Sequence, residues 1–187
     1  MSVRLTAAGD FGWFSDQRGY RYVEQHPSGV NWPEIPDAIM AIWRAVAGAV
    51  PDPECCLVNF YGDGARMGLH QDRDEANFDW PVVSISLGDD ALFRVGGTER
   101  GGKTESIWLQ SGDVAVMGGA ARPNYHGIDR IKFGSSTPAS SKAAVTSASY
   151  AARSSSLAPD APGGVLTWPR LPPFAAPLSR RNLSALF

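Results

Sequence analysis

The sequence predicts a mainly β fold with a flanking helix, an α+β arrangement built as a sandwich or jelly roll. Three observations predict it. Short segments rich in Val, Ile, Phe and Tyr recur between clusters of Gly, Asp and Pro. One stretch of helical period stands ahead of most of them. With 187 residues and 43% apolar content, the chain has the length of about one domain and can bury a sizeable core.

Taken in order, RGYRYVEQ (18–25) has strand character, and PSGVNWPEIP (27–36) is a proline-interrupted loop. DAIMAIWRAVAGAV (37–50) is an amphipathic helix. Asp37 stands where an N-cap is expected, Ile39, Ile42, Trp43 and Val46 share a face, and Pro51 stops the helix. CCLVNFY (55–61) is a buried strand, followed by a turn or loop at GDGARMG (62–68). PVVSISLG (81–88) and ALFRVGG (91–97) are expected to form a hairpin across Gly88–Asp89–Asp90. ESIWLQ (105–110) and DVAVMGG (113–119) are expected to form another across Ser111–Gly112. NYHGIDRI (124–131) closes the regular part, so the domain is drawn at residues 1–134.

Beyond that boundary the composition changes. Residues 135–187 hold 11 Ser, 11 Ala and 7 Pro and keep no period, which reads as a low-complexity tail, disordered or out of frame. Charge divides along the same line. Of 17 basic and 19 acidic residues, 5 and 1 lie in residues 135–187, leaving 12 and 18 in residues 1–134. A domain of negative field is expected to bind nucleic acid through a local basic patch, because its overall field is repulsive. No apolar run is long enough to span a bilayer, and the N-terminus lacks the apolar core of a signal peptide. Cys55 and Cys56 are adjacent and form no disulfide framework. A monomer in a reducing cytoplasm, away from membranes, is expected.

The chemistry is carried by HQD. His70 and Asp72, two residues apart on an extended segment, point to one side and can share a metal. A third ligand must come from elsewhere, and His126, expected at the end of a later strand, is the available one. Two imidazoles and one carboxylate on one face leave coordination positions open, which suits non-haem Fe(II). The pattern H-x-D alone is common in loops, so its weight comes from context. His26, in the proline-rich loop, lacks that context and is expected to be solvated. No zinc-type Cys/His spacing, P-loop or dinucleotide motif competes.

CCLVNFYGDGARMGLHQDRDE, together with VVSISLG, ALFRVGG, GDVAVMGG and YHGIDRI, resembles the AlkB family of Fe(II)- and 2-oxoglutarate-dependent dioxygenases. GWFSDQRGYRY followed by WPEIP and a helix strengthens the likeness, which runs through residues 1–134. The resemblance implies a double-stranded β-helix (jelly roll) core. It implies His70, Asp72 and His126 as iron ligands, and Asn59 and Tyr61 as 2-oxoglutarate contacts. It also implies Trp13, Tyr20, Asp74 and Arg100 as substrate contacts. The implied partner is alkylated DNA, single-stranded or with a flipped base, and RNA is the alternative. The implied reaction consumes 2-oxoglutarate and O2, demethylates the base, and releases succinate, CO2 and formaldehyde. The alternatives are a dioxygenase acting on RNA or protein, and a catalytically dead remnant serving as a binding module.

Two departures stand out. Family members carry a further segment ahead of the position matching Met1, so an N-terminally shortened domain is expected. The family's Arg-x-Asn-Leu-Thr-x-Arg motif, whose guanidinium groups suit the co-substrate's carboxylates, does not follow HGIDRIKFGSST at the usual spacing. The nearest match is RRNLSALF at the end, with Arg180, Asn182 and Ser184 in place and Leu186 where the second arginine stands. Impaired co-substrate binding and turnover are therefore expected. The genetic code permits Arg-x-Asn-Leu-Ser in another frame across residues 142–153. The gene sequence there checks the out-of-frame reading, which requires one frame to encode Arg-x-Asn followed by Ser or Thr.

Overall fold

Alternation of apolar and polar residues places two sheets face to face, with the helix outside. The computed structural model describes residues 3–136 and the backbone of 144–149. The strands are β1 (Arg4–Gly9), β2 (Gly12–Asp16), β3 (Gly19–Val23), β4 (Cys55–Phe60), β5 (Met67–His70) and β6 (Val82–Leu87). They continue with β7 (Asp90–Val95), β8 (Glu105–Leu109), β9 (Val114–Met117), β10 (His126–Lys132) and β11 (Ala144–Ser149). The helix α1 is Asp37–Val46. The major sheet runs β1-β4-β11-β6-β9, the minor sheet runs β5-β10-β7-β8, and β2-β3 forms a separate two-stranded hairpin.

Successive strands cross between the sheets, and this corrects both expected hairpins. The chain does reverse at Gly88–Asp90 and at Ser111–Gly112, as the turn residues require. Yet β6 pairs with β9 while β7 pairs with β8 and β10. The two turns are held together, Gly88 N donating to Ser111 Oγ at 3.1 Å and Gly112 N to Ser86 O at 2.7 Å. Turn chemistry reports where a chain reverses; which neighbour it pairs with is decided by burial of both sheet faces.

Composition places Ala144–Ser149 in a disordered or out-of-frame tail, and the structure differs there. It forms β11, antiparallel to β4 on one side and to β6 on the other, with Val145 opposite both Asn59 and Ser86. Strands β4 and β6 would otherwise each present a row of unpaired backbone donors and acceptors inside a covered sheet. Any sequence free of Pro can supply that pairing, so weak patterning is overridden. The rest of the tail, including Arg180, Asn182 and Ser184, lies outside the described residues.

Helix α1 covers the outer face of the major sheet. Ile39, Ile42 and Trp43 pack against Ala8, Cys56, Val58, Val83, Ile85 and Val114, with Val46 at the rim. Trp43 donates its indole N–H to Pro51 O at 2.9 Å, so its polar edge is satisfied where the chain leaves the helix. Asp37 does not cap: Pro36 holds the N-cap position, no side-chain cap bond forms, and Asp37 is the first helical residue. There its charge still complements the helix dipole. The helix ends at Val46, short of the expected Val50, because Gly48 takes a φ of 84°. Cys55 and Cys56 are free thiols, fully buried. No helix among the described residues is long and apolar enough to cross a membrane.

The opposite face of the major sheet looks toward the minor sheet. Tyr61, Val82, Phe93, Leu109, Met117 and Ile128 fill one end of that space. The other end stays open as a cavity of about 400 Å³. Trp43 is 1% exposed, and replacing it by Ala is expected to cost about 3–5 kcal/mol of stability, measured by chemical denaturation with an unchanged m-value.

Candidate metal centre and its cavity

The cavity is lined from the major sheet by Leu5, Leu57, Asn59 and Ser84, and from the minor sheet by Phe93, His126 and Ile128. Alternation explains this: Cys56 and Val58 face the helix, so Leu57 and Asn59 face inward.

The three residues meet because β5 and β10 pair antiparallel with His126 directly opposite His70. The two rings lie 4.5 Å apart between centroids. Asp72, just beyond β5, turns its carboxylate between them: Oδ1 is 3.6 Å from His70 Nε2 and Oδ2 is 3.4 Å from His126 Nε2. One ligand atom from each of the three residues lies within 4.8 Å of the others. Each imidazole has its other nitrogen at a backbone carbonyl, His70 Nδ1 at Gly68 O (2.9 Å) and His126 Nδ1 at Asn124 O (3.1 Å). In the neutral tautomer that donates from Nδ1, the Nε2 lone pair is free to ligate. Burial pushes the Asp72 carboxyl up, but hydrogen bonding to His126 and the charges of His126, His70 and Arg122 outweigh it and hold it below its usual range. A carboxylate held toward its ionised form, beside two imidazoles that each keep Nδ1 at a backbone carbonyl and turn Nε2 to the same point, is the donor set of a divalent transition metal once those nitrogens are unprotonated, so the three residues fit an Fe(II) ion.

Gly127 makes this approach possible. A Cβ there would meet Met67 O at 2.5 Å and Gly68 O at 2.8 Å, both backbone atoms of the partner strand. The register between β5 and β10 also shifts at this point. Any larger residue pushes β5 away and separates the imidazoles.

Asn59 and Tyr61 line the same cavity and are 5% and 2% exposed. Asn59 Oδ1 is buried and has no hydrogen-bond partner among the described residues, an orphan that a ligand can satisfy. Burial pushes the Tyr61 hydroxyl up, so it stays a neutral donor, now 3.6 Å from Met67 Sδ. No Lys or Arg lines the cavity among the described residues, and β11, next to Asn59, carries none in its sequence. Trp13 and Tyr20 stack at the mouth, centroids 5.0 Å apart at 16°, and Trp13 Nε1 donates to Asp74 Oδ2 at 3.0 Å. Arg100 stands apart from the lining, exposed, its guanidinium 6.0 Å from the Tyr125 ring. His26, expected to be solvated, instead meets Phe14 and Trp32 edge-on and bonds Ser28 Oγ at 2.7 Å.

Sequence reasoning passed over Tyr22, Glu75 and Arg122. Tyr22 Oη donates to Glu75 Oε1 at 3.0 Å, and Glu75 Oε2 accepts from Arg122 Nη2 at 3.0 Å. Tyr22 was detectable, two residues after Tyr20 on one strand face; Arg122 sits in a loop with no periodic signal.

The family model described as the 2OG-Fe(II) oxygenase superfamily matches residues 1–154. The chain is 55% identical over 138 residues to an alpha-ketoglutarate-dependent dioxygenase AlkB homolog of Caulobacter vibrioides, across 73% of this chain and 63% of that protein. It is 40% identical over 139 residues to the alpha-ketoglutarate-dependent dioxygenase AlkB of Escherichia coli, across 72% of this chain and 64% of that one. The chain thus spans a little under two thirds of the length of these curated relatives. A solved structure of OsALKBH1 superposes with a TM-score of 0.67 at 28% identity, covering 80% of this chain and 78% of that one.

Mn(II) titration is expected to give one site per chain, abolished by Asp72→Ala. Gly127→Ala is expected to keep the fold but weaken Mn(II) by at least about 10-fold; unchanged affinity there would contradict the close-approach argument.

Proposed function

The chain belongs to the 2OG-Fe(II) oxygenase superfamily, with the residues of an AlkB-family domain, and from that premise we propose that it oxidatively demethylates alkylated bases in DNA. The observation that carries the reading is the His70–Asp72–His126 cluster at the floor of a cavity whose mouth is a stacked aromatic pair. His70, Asp72 and His126 would hold Fe(II), which with 2-oxoglutarate and O2 would supply the oxidation of an N-methyl group to formaldehyde, with succinate and CO2 as by-products.

The protein's own groups bind and orient. Asn59 and Tyr61 offer an amide and a neutral hydroxyl to the co-substrate beside the metal. Trp13 and Tyr20 present π-faces on which an extruded base can stack, and stacking of this kind contributes about 1–3 kcal/mol per base. Asp74 holds the Trp13 indole in place through Nε1. Arg100, exposed beside Tyr125, is assigned a phosphate or substrate contact outside the cavity. The apolar wall of Leu5, Leu57 and Phe93 limits water near the reacting carbon. A monomer acting in the cytoplasm is part of the same proposal.

A second reading, a metal-binding remnant without turnover, is favoured by one observation: no Lys or Arg lines the described cavity wall to meet a dianionic co-substrate.

Succinate release with a methylated single-stranded oligonucleotide separates the two. The first reading expects release that needs Fe(II), 2-oxoglutarate and the methyl group, and that falls with unmethylated DNA, RNA and peptide. Mn(II) binding with no release under any substrate supports the second. In the first case Tyr20→Ala is expected to raise KM for the oligonucleotide roughly 10-fold, with less effect on kcat.

A further inference from the structure

Glu75 and Arg122 are charged side chains 7% and 2% exposed, beside the metal cluster yet outside it. A charged pair in such a place is tolerated only when its hydrogen bonds are filled. Here they are. Arg122, just after the 3-10 turn Gly119–Ala121, donates Nη2 to Glu75 Oε2 (3.0 Å), Nη1 to Asp72 O (2.9 Å) and Nε to Trp80 O (3.0 Å). Its guanidinium lies 5.0 Å from the Phe78 ring. One side chain therefore gathers the loop that follows the metal ligands and grips the backbone of a ligand directly.

The same loop is held from the other side by the β2–β3 hairpin. Tyr22 Oη on β3 reaches Glu75 Oε1 at 3.0 Å, and Trp13 Nε1 on β2 reaches Asp74 Oδ2 at 3.0 Å. Both strands of the hairpin end on residues two and three positions past Asp72. Gln71, on the near side of Asp72, bonds Thr98 O at 3.2 Å and also Pro123 O. The hairpin, the loop and the ligand backbone form one hydrogen-bonded chain.

We propose that Glu75 and Arg122 are positioning residues that couple metal binding to the order of the β2–β3 hairpin. A metal that fixes Asp72 fixes the loop, and the loop, through Glu75 and Asp74, fixes the hairpin that carries Trp13 and Tyr20. The coupling is reciprocal, because binding free energies are linked. The proposal rests on the metal-binding reading of His70, Asp72 and His126, and not on the substrate or the reaction.

The test uses the full chain, Mn(II) as probe, and two measurements: Mn(II) affinity by titration and hydrogen exchange of the hairpin amides with and without Mn(II). Wild type is expected to gain hairpin protection on binding. Glu75→Gln, which removes the charge paired with Arg122 and turns one of the two accepting oxygens into a donor amide, weakens the relay and is expected to reduce that gain and weaken Mn(II) roughly 10-fold. Tyr22→Phe removes one hydroxyl and leaves the buried charges paired, so it folds even if Glu75→Gln does not. It is expected to lose at least half of the metal-dependent protection. Arg44→Ala, in the exposed pair with Asp52, is the control that changes neither measurement. Mn(II) binding with no change in hairpin protection overturns the proposal, as does full retention of the gain in Tyr22→Phe. Absence of Mn(II) binding in the wild type overturns it together with the metal-site reading. Neither measurement involves 2-oxoglutarate or oligonucleotide, so a failure of turnover bears on the proposed function alone.

Discussion

The cross-strand pairing of His126 with His70 is the constraint on which the rest of the site depends. Antiparallel partners project to one face, so a single register brings both imidazoles into the cavity together. A slip of one residue would send one of them to the opposite face. The absent side chain of Gly127 sets how close the two strands come, and the two backbone carbonyls at Nδ1 set how each ring is turned. Asp72 then needs only to turn between the rings, from a loop that Arg122 and Gln71 hold on either side.

Much of this was legible from residue order. The apolar face of α1 follows from Ile39, Ile42 and Trp43 at helical spacing, and β4, β6, β7 and β10 follow from runs of Val, Ile and Leu. His70, Asp72 and His126 could be grouped because two of them stand two residues apart on an extended segment and the third lies at a strand end, though at the start of β10 and not at the end of a strand as expected. Pairing partners were not legible. The turns at Gly88 and Gly112 looked like hairpins because a turn carries no record of which sheet receives the next strand. Strand β11 was hidden for another reason: its place is set by the unpaired edges of β4 and β6 and not by its own composition of Ala, Val, Thr and Ser. Glu75 and Arg122 lie 47 positions apart and meet only in the folded chain.

The charge distribution narrows how a nucleic acid could be held. Residues 1–134 have 12 basic and 18 acidic side chains, so their long-range field repels a phosphate backbone. Affinity must come at short range, from ring stacking and from a few well-placed contacts. The Trp13–Tyr20 stack is suited to that role, since a π-face accepts any base without reading its edge. Discrimination would then fall to the cavity behind it, where three carboxylates line the wall and each is already engaged: Asp72 by the imidazoles, Asp74 by Trp13, Glu75 by Tyr22 and Arg122.

The position of β11 has a consequence for the order in which the chain is made. It fills the middle of a five-stranded sheet, yet it leaves the ribosome after every other described strand. Until then the β1–β4 and β6–β9 pairs can form, but as two separate ribbons with inner edges open. Contacts of such high sequence separation close late and slowly. The nascent chain therefore passes through an interval with two long unpaired edges facing one another, the state most prone to join a neighbouring copy. Synthesis rate and chaperone supply, more than the final packing energy, would then decide how much of this protein reaches its folded form.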